Sequence, residues 1–279
     1  MFSNIETGDN NNKIADASGV ILPSTNITPN CFKNMFRTND VLTAGPALPA
    51  MDLAPYCYSF MFYGCSSISS APSLPATGLA NNCYESMFTN CSHLTGGAEI
   101  YADTIQTYSC KNMFYGCTSL SSYTLSATNI LTAGCYQMFS GAALLSAELF
   151  ATNIALSGCR SMFHTCRNLK YMKTRFTDWG NPNSTYQFRS WVYNVQTSNG
   201  TFIKNEQLSA RYGTDYIPQN WTVEDIPTPP TSDGPLTFTG KSASNAVALN
   251  KNGSPDAISL QYSKNNGTWT DYSWDGDNG

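Results

Sequence analysis

Residues Cys57–Phe88 read CYSFMFYGCSSISSAPSLPATGLANNCYESMF, opening on CYSFMF and closing on CYESMF. The same word recurs along the chain. Met-Phe pairs begin at Met35, Met61, Met87, Met113, Met138 and Met162, with spacings of 26, 26, 26, 25 and 24 residues. A fixed period of this size marks a solenoid, because one such unit cannot bury its apolar face until copies stack.

Other columns keep the period. Eight residues before each Met stands Ile27, Leu53, Leu79, Ile105, Ile130 or Ile154. Five residues earlier comes Leu22, Leu48, Leu74, Ile100, Leu125 or Leu149. Six residues after each Phe stands Leu42, Ile68, Leu94, Leu120, Leu145 or Leu169. Between lies the column Asn39, Cys65, Cys91, Cys117, Ala142 and Cys166. Length varies only between the post-Phe leucine and the next leucine column, which a loop or a strand bulge absorbs. In SLSSYTL, Leu120, Tyr123 and Leu125 fit a short strand. The proline-free CYxxMF words suit a helical or 3₁₀ turn. Pro49 and Pro75 follow the leucine column, where a strand ends. The pattern predicts a right-handed solenoid, curved or twisted, with a parallel strand ladder.

The words MFYGCSSI, SLPATGLANNCYESMF and MFYGCTSL resemble the BspA-like leucine-rich repeats of bacterial surface proteins of Bacteroidetes, also found in associated phage proteins. The resemblance runs from about Val20 to Phe176. It implies a leucine-rich repeat array with strands on the concave side and short helical or 3₁₀ turns on the convex side.

The chain divides by pattern into 1–20, an irregular N-terminal segment or the remnant of a preceding repeat; 21–176, six repeats; 177–226, a C-terminal cap; 227–235, a Pro-rich linker; and 236–279, a partial β module. Met1 is either the initiator or part of a preceding repeat's Met-Phe word carrying the insertion ETGDNNNK. In the cap, Trp191–Val195 reads as a short amphipathic helix, and Thr201–Lys204 and Trp221–Val223 as strands. Trp179, Trp191 and Trp221 read as cap core covering the apolar cross-section of the last repeat. In the final segment, Asn266–Gly267 marks a hairpin, and the chain looks cut short at its end.

Composition narrows function. Charged residues are 12% of the 279, net charge is −4, and no basic run exists, so nucleic acid is an unexpected partner. No stretch of 18 apolar residues marks a membrane span, and residues 1–20 carry no signal-peptide core. All ten cysteines fall in the repeats without a CxxC, and their intervals echo the repeat. Disulfides or a metal set compete with buried thiols that pack as small apolar rungs; the slip of Cys110, Cys135 and Cys159 by one residue favours the thiols. His93 and His164 fall in loops without a recurring carboxylate, and no phosphate loop, HExxH or GxSxG occurs. The Asp275 and Asp277 pair lacks further oxygen ligands for calcium. No catalytic residue, cofactor or metal site is expected.

Outward positions of an LxxLxL strand are Ser69 and Ser73, Thr95 and Glu99, Ser121 and Thr124, then Ser146 and Glu148. Stacked, they form a polar strip suited to hydrogen bonding, or simply a solvated face. The resemblance implies a non-catalytic adhesion protein at the bacterial cell surface, meeting a protein or glycan of host or neighbouring cells. The alternative is a bacteriophage fibre component whose partners are fellow virion proteins; an accessory region of an enzyme elsewhere is a third.

Overall fold

A computed structural model describes residues 13–181, 186–195 and 198–226, and the backbone of 260–262 and 270–272. Contacts divide the chain into two units, Met1–Pro227 and Thr228–Gly279. The first is a parallel-strand β-solenoid. The expected linker, and the turn at Asn266–Gly267, lie outside the described residues.

Three successive rungs, from Gly96 onward, each carry two strand segments and one long turn segment, and the rungs before them are joined by single bridges. The principal strands are β1 (Gly96–Ile100), β3 (Ser122–Leu125), β5 (Ser146–Leu149), β7 (Tyr171–Thr174), β8 (Thr201–Lys204) and β9 (Thr222–Asp225). β1 pairs parallel with β3, and β5, β7, β8 and β9 pair in that order, all parallel. The earlier rung joins through bridges Ser70–Gly96 and Leu74–Ile100. A second ladder is β2 (Thr104–Ile105), β4 (Asn129–Ile130) and β6 (Asn153–Ile154). It is short because only the ATxI word is extended. Its Ala is buried at Ala76, Ala102, Ala127 and Ala151, and its Ile at Ile105, Ile130 and Ile154.

The register slips between Gly96 and Glu99, where Gly97 and Ala98 face Tyr123 alone. This bulge takes up the extra residue that separates Leu94–Ile100 from Leu120–Leu125, as the spacing predicts.

The Met-Phe words are not helical; the described residues contain no helix. Positive φ recurs at every fourth residue: Asn82, Ser86 and Asn90 in one rung, Tyr108, Asn112 and Gly116 in the next. A helix is impossible with that recurrence. Two sets of backbone bonds replace it. Cys83, Glu85, Met87, Thr89 and Cys91 donate N–H back three residues at 3.1–3.3 Å, closing successive turns. The alternate residues Asn82, Tyr84, Ser86, Phe88 and Asn90 donate forward to the carbonyls of Thr107, Ser109, Lys111, Met113 and Tyr115 at 2.7–3.2 Å. Every N–H of the word is thereby satisfied, half within the rung and half across it. Turns with positive φ at their third residue alternate with turns without it, which explains Asn and Gly in these columns.

The same geometry corrects the cap. Trp191–Val195 forms no helix but another turn segment, with Tyr186, Ser190 and Asn194 at positive φ. Phe163 N–H donates to Trp191 O at 2.8 Å, as Phe139 N–H does to Met162 O, so Trp191 stands in the Met column. The ladder thus continues past 176 into the segment read as a cap. The strand at Thr201–Lys204 lies where the sequence placed it, and β9 starts one residue after Trp221. Trp179, Trp191 and Trp221 are all buried and Trp179 stacks edge-on to Trp191 at 5.9 Å, which is core packing.

One column shifts. Leu145 is 57% exposed and Leu144 fully buried, because the loop after Ala142 is a residue shorter there. In the second unit, β10 (Leu260–Tyr262) and β11 (Thr270–Tyr272) pair antiparallel, on either side of the Asn-Gly pair.

The core is a stack of rings. Phe36, Phe62, Phe88, Phe114, Phe139 and Phe163 lie face to face with centroids 5.3–5.8 Å apart. Truncating Phe88, fully buried between Phe62 and Phe114, removes two stacked contacts and opens a cavity. Phe88→Ala is expected to cost about 3–5 kcal/mol, read as a lowered denaturant midpoint; an unchanged midpoint overturns the stack's role. A backbone test is Gly116→Val. Gly116 has φ +71°, and a Cβ there meets Asn90 Oδ1 at 2.3 Å. This change is expected to destabilise by about 1–3 kcal/mol in thermal unfolding.

Candidate functional site

The strand face carries the residues singled out from sequence. Ser69, Ser73, Thr95, Glu99, Ser121, Thr124 and Ser146 are exposed, and Glu148 is partly so. Register sorts them into rows. Glu99 aligns with Thr124, and Glu148 with Lys173, Ile203 and Glu224 in turn. Thr95 N–H bonds Ser69 O, Ser121 N–H bonds Thr95 O, and Lys170 N–H bonds Leu145 O. Leu145, not Ser146, therefore takes the fourth place beside Ser69, Thr95 and Ser121, while Ser146 aligns with Tyr171. The missing loop residue before Leu144 is the cause.

Rows along parallel strands stand about 4.8 Å apart. In the first row hydroxyls tie rung to rung: Thr95 Oγ1 donates to Ser69 O at 3.2 Å and Ser121 Oγ to Thr95 O at 3.1 Å. In the second row Glu148 pairs with Lys173 at 3.3 Å, and Tyr101 donates its hydroxyl to Glu99. Lys173 and Tyr101 were missed because the strip was read only within the LxxLxL word; continuing the period past Phe163 finds Lys173. The result is a face of hydroxyls and fixed carboxylates around the exposed Leu145, suited to hydrogen bonding.

The second ladder presents an amide and carboxylate row. Thr128 Oγ1 donates to Asp103 Oδ1 at 2.6 Å, Asn129 Nδ2 to Asp103 Oδ2 at 3.2 Å, and Asn153 Nδ2 to Asn129 Oδ1 at 2.9 Å. These groups satisfy each other along the axis. A cleft of about 370 Å³ opens where β6 ends, between Asn153, Ile154, Phe176 and Asp178.

The sulfurs form two interior columns. All ten cysteines are free thiols, and all but Cys31 are buried. Cys65, Cys91 and Cys117 donate S–H to Phe36, Phe62 and Phe88 carbonyls of the preceding rung at 3.0–3.1 Å. Each of those carbonyls also accepts an N–H from three residues ahead, so the thiol fills its second lone pair. Burial pushes Cys65, Cys110 and Cys117 up to about 12. Such groups are poor thiolates and poor nucleophiles. Among the described residues no group of three His, Cys, Asp or Glu is placed to hold a metal ion.

The histidines lie apart. His93 Nδ1 is 2.7 Å from Ser66 O, and His164 stacks on Tyr193 at 4.9 Å, with burial lowering its pKa. His93 Nδ1 also lies 3.4 Å from Ser92 Oγ, a long contact between chain neighbours, and neither ring has a carboxylate among these contacts to orient it.

No protein-family model matches the chain, and neither a curated protein nor a solved structure is significantly similar to it.

Thiol chemistry separates the columns by access. In the folded protein a disulfide reagent is expected to label Cys31 first and leave the other nine unreacted; denaturation without reductant should release all ten. Fewer than eight titratable thiols after denaturation would show disulfides and overturn the free-thiol columns.

Proposed function

We propose that this chain is a non-catalytic binding protein, an array of BspA-like leucine-rich repeats that presents its strand face to a protein or glycan at the bacterial cell surface. One observation carries the reading. The strand side of the solenoid exposes hydroxyls, carboxylates and lysines in fixed register, interrupted by the outward Leu145, while the Phe and Cys columns turn inward.

A rigid ladder favours this use, since side chains held at set intervals lose little freedom on binding. The leucine-rich assignment rests on the repeated words and on inward leucines in every rung. The turn segments differ from the helical convex side that the resemblance implies. Absence of catalysis rests on what surrounds the polar groups: hydroxyls committed to carbonyls, thiols with raised pKa, and histidines apart from carboxylates. No described helix is long and apolar enough to cross a membrane.

The test replaces Glu99, Thr124 and Glu148 together by Ala. Adhesion to host or neighbouring cells, or retention of a partner in pull-down, is expected to fall at least about tenfold, since several hydrogen bonds to charged groups are lost at once. Circular dichroism should be unchanged because all three side chains lie outside the core. Full binding by the folded triple variant would remove the strand face as the site.

A further inference from the structure

The turn segments build a face whose chemistry differs from the rest of the molecule. Taken over 30–38, 56–64, 82–90, 108–116, 133–141, 157–165 and 186–194, it holds five basic residues: Lys33, Arg37, Lys111, Arg160 and Arg189. It holds one carboxylate, Glu85. The remainder of the chain then has ten basic and eighteen acidic residues, so this face carries a net charge of +4 in a protein whose net charge is −4.

These cations are held by rings instead of carboxylates. Lys33 Nζ sits 5.0 Å from the centre of the Tyr56 ring, and Arg37 lies 5.3 Å from Phe60 and 4.9 Å from Tyr63. Arg160 rests on Tyr136 at 5.5 Å and Arg189 on Tyr186 at 5.3 Å. Only Lys111, over Tyr108 at 5.4 Å, also pairs with Glu85, at 3.0 Å. A ring fixes a cation's position and leaves its charge uncancelled. Four of the five charges are thus ordered and available to an anion. Tyr115 and Tyr193, 40% and 43% exposed, add ring surface beside them, and Asn34, Asn112 and Gln137 lie between the cation positions.

We propose that this face binds an acidic polysaccharide. Planar rings take the apolar face of a pyranose, amides meet its hydroxyls, and guanidinium groups take carboxylate or sulfate in paired hydrogen bonds. Charge spacing selects this class over nucleic acid. Four uncancelled cations are spread over seven rungs, roughly 29 Å, whereas one nucleic-acid strand carries a charge about every 3.4 Å. The proposal goes beyond the strand-face reading and uses none of its residues.

Calorimetric titration of the full chain with polygalacturonate fragments tests it, at low and at high salt. Binding is expected, weakening as salt rises, with none to neutral dextran. Arg160→Gln with Arg189→Gln is expected to weaken binding about tenfold, and the Glu99, Thr124 and Glu148 triple variant to leave it unchanged. Lys33→Gln with Arg37→Gln, at the other end of the face, gives a second reading should the first pair unfold. Absence of binding, full affinity in both folded double variants, or equal binding of oligothymidylate would each overturn the proposal.

Discussion

The solenoid depends on the forward backbone bond in its turn segments, from each alternate N–H to a carbonyl one rung on. A chain held in successive turns at positive φ pays backbone strain of roughly 1 kcal/mol or more per non-glycine residue in the left-handed region. Tyr56, Phe60 and Tyr108 sit there with bulky side chains. One rung alone has nothing to set against that cost. Five forward bonds to the next rung, repeated at every interface from Asn30–Thr38 to the Ala133–Gly141 segment, supply the opposing term. The conformation therefore exists only in the stack, and the stack is cooperative for this reason.

The interior follows from the same constraint. Forward bonds fix neighbouring rungs at one spacing, so identical side chains must lie over one another. Flat rings tolerate this, and Phe takes the column that becomes the stack. Thiols tolerate it too, being small and able to donate to a carbonyl already used once. Asn39 and Ala142 show the column's limits. Asn39, at the first rung, turns its amide to Ile14 O at 2.8 Å. Ala142 simply leaves the Phe114 carbonyl without a thiol.

Much of this was legible in the sequence because a repeat averages out local ambiguity. The inward leucines, the Phe column and the buried thiols each appear six times or nearly so, and register errors in one copy show against the others. What was missed has physical causes. Helix and turn segments of nine residues share close-set apolar positions, and only the Asn and Gly at every fourth place separate them. That signal is diluted by Tyr56, Phe60 and Gln137, which adopt positive φ without advertising it. Leu144 and Leu145 are both leucine, so composition alone leaves the shortened loop invisible. The continuation into Trp191 was hidden by the change from Met-Phe to Trp-Val, where a larger ring fills the end of the stack.

For the surface, each rung offers three sides and the chain gives each a different chemistry. The strand side takes hydroxyls and carboxylates, the short ladder takes interlocked amides, and the turn side takes rings with cations. Charged residues are few enough that this partition decides the field around the molecule. Ring-held cations keep their charge where the Glu148–Lys173 pair cancels it, so similar numbers of basic side chains on two faces leave one positive and the other close to neutral. A repeat protein can vary one outward position per rung without touching the core, because the columns that set the spacing lie inside. On the turn side the sequence departs from its own repeat, reading Lys, Ser, Glu, Lys, Tyr, Arg and Arg down one column from Lys33 to Arg189. Stacking does not require that column to be uniform, which leaves its chemistry open to a partner.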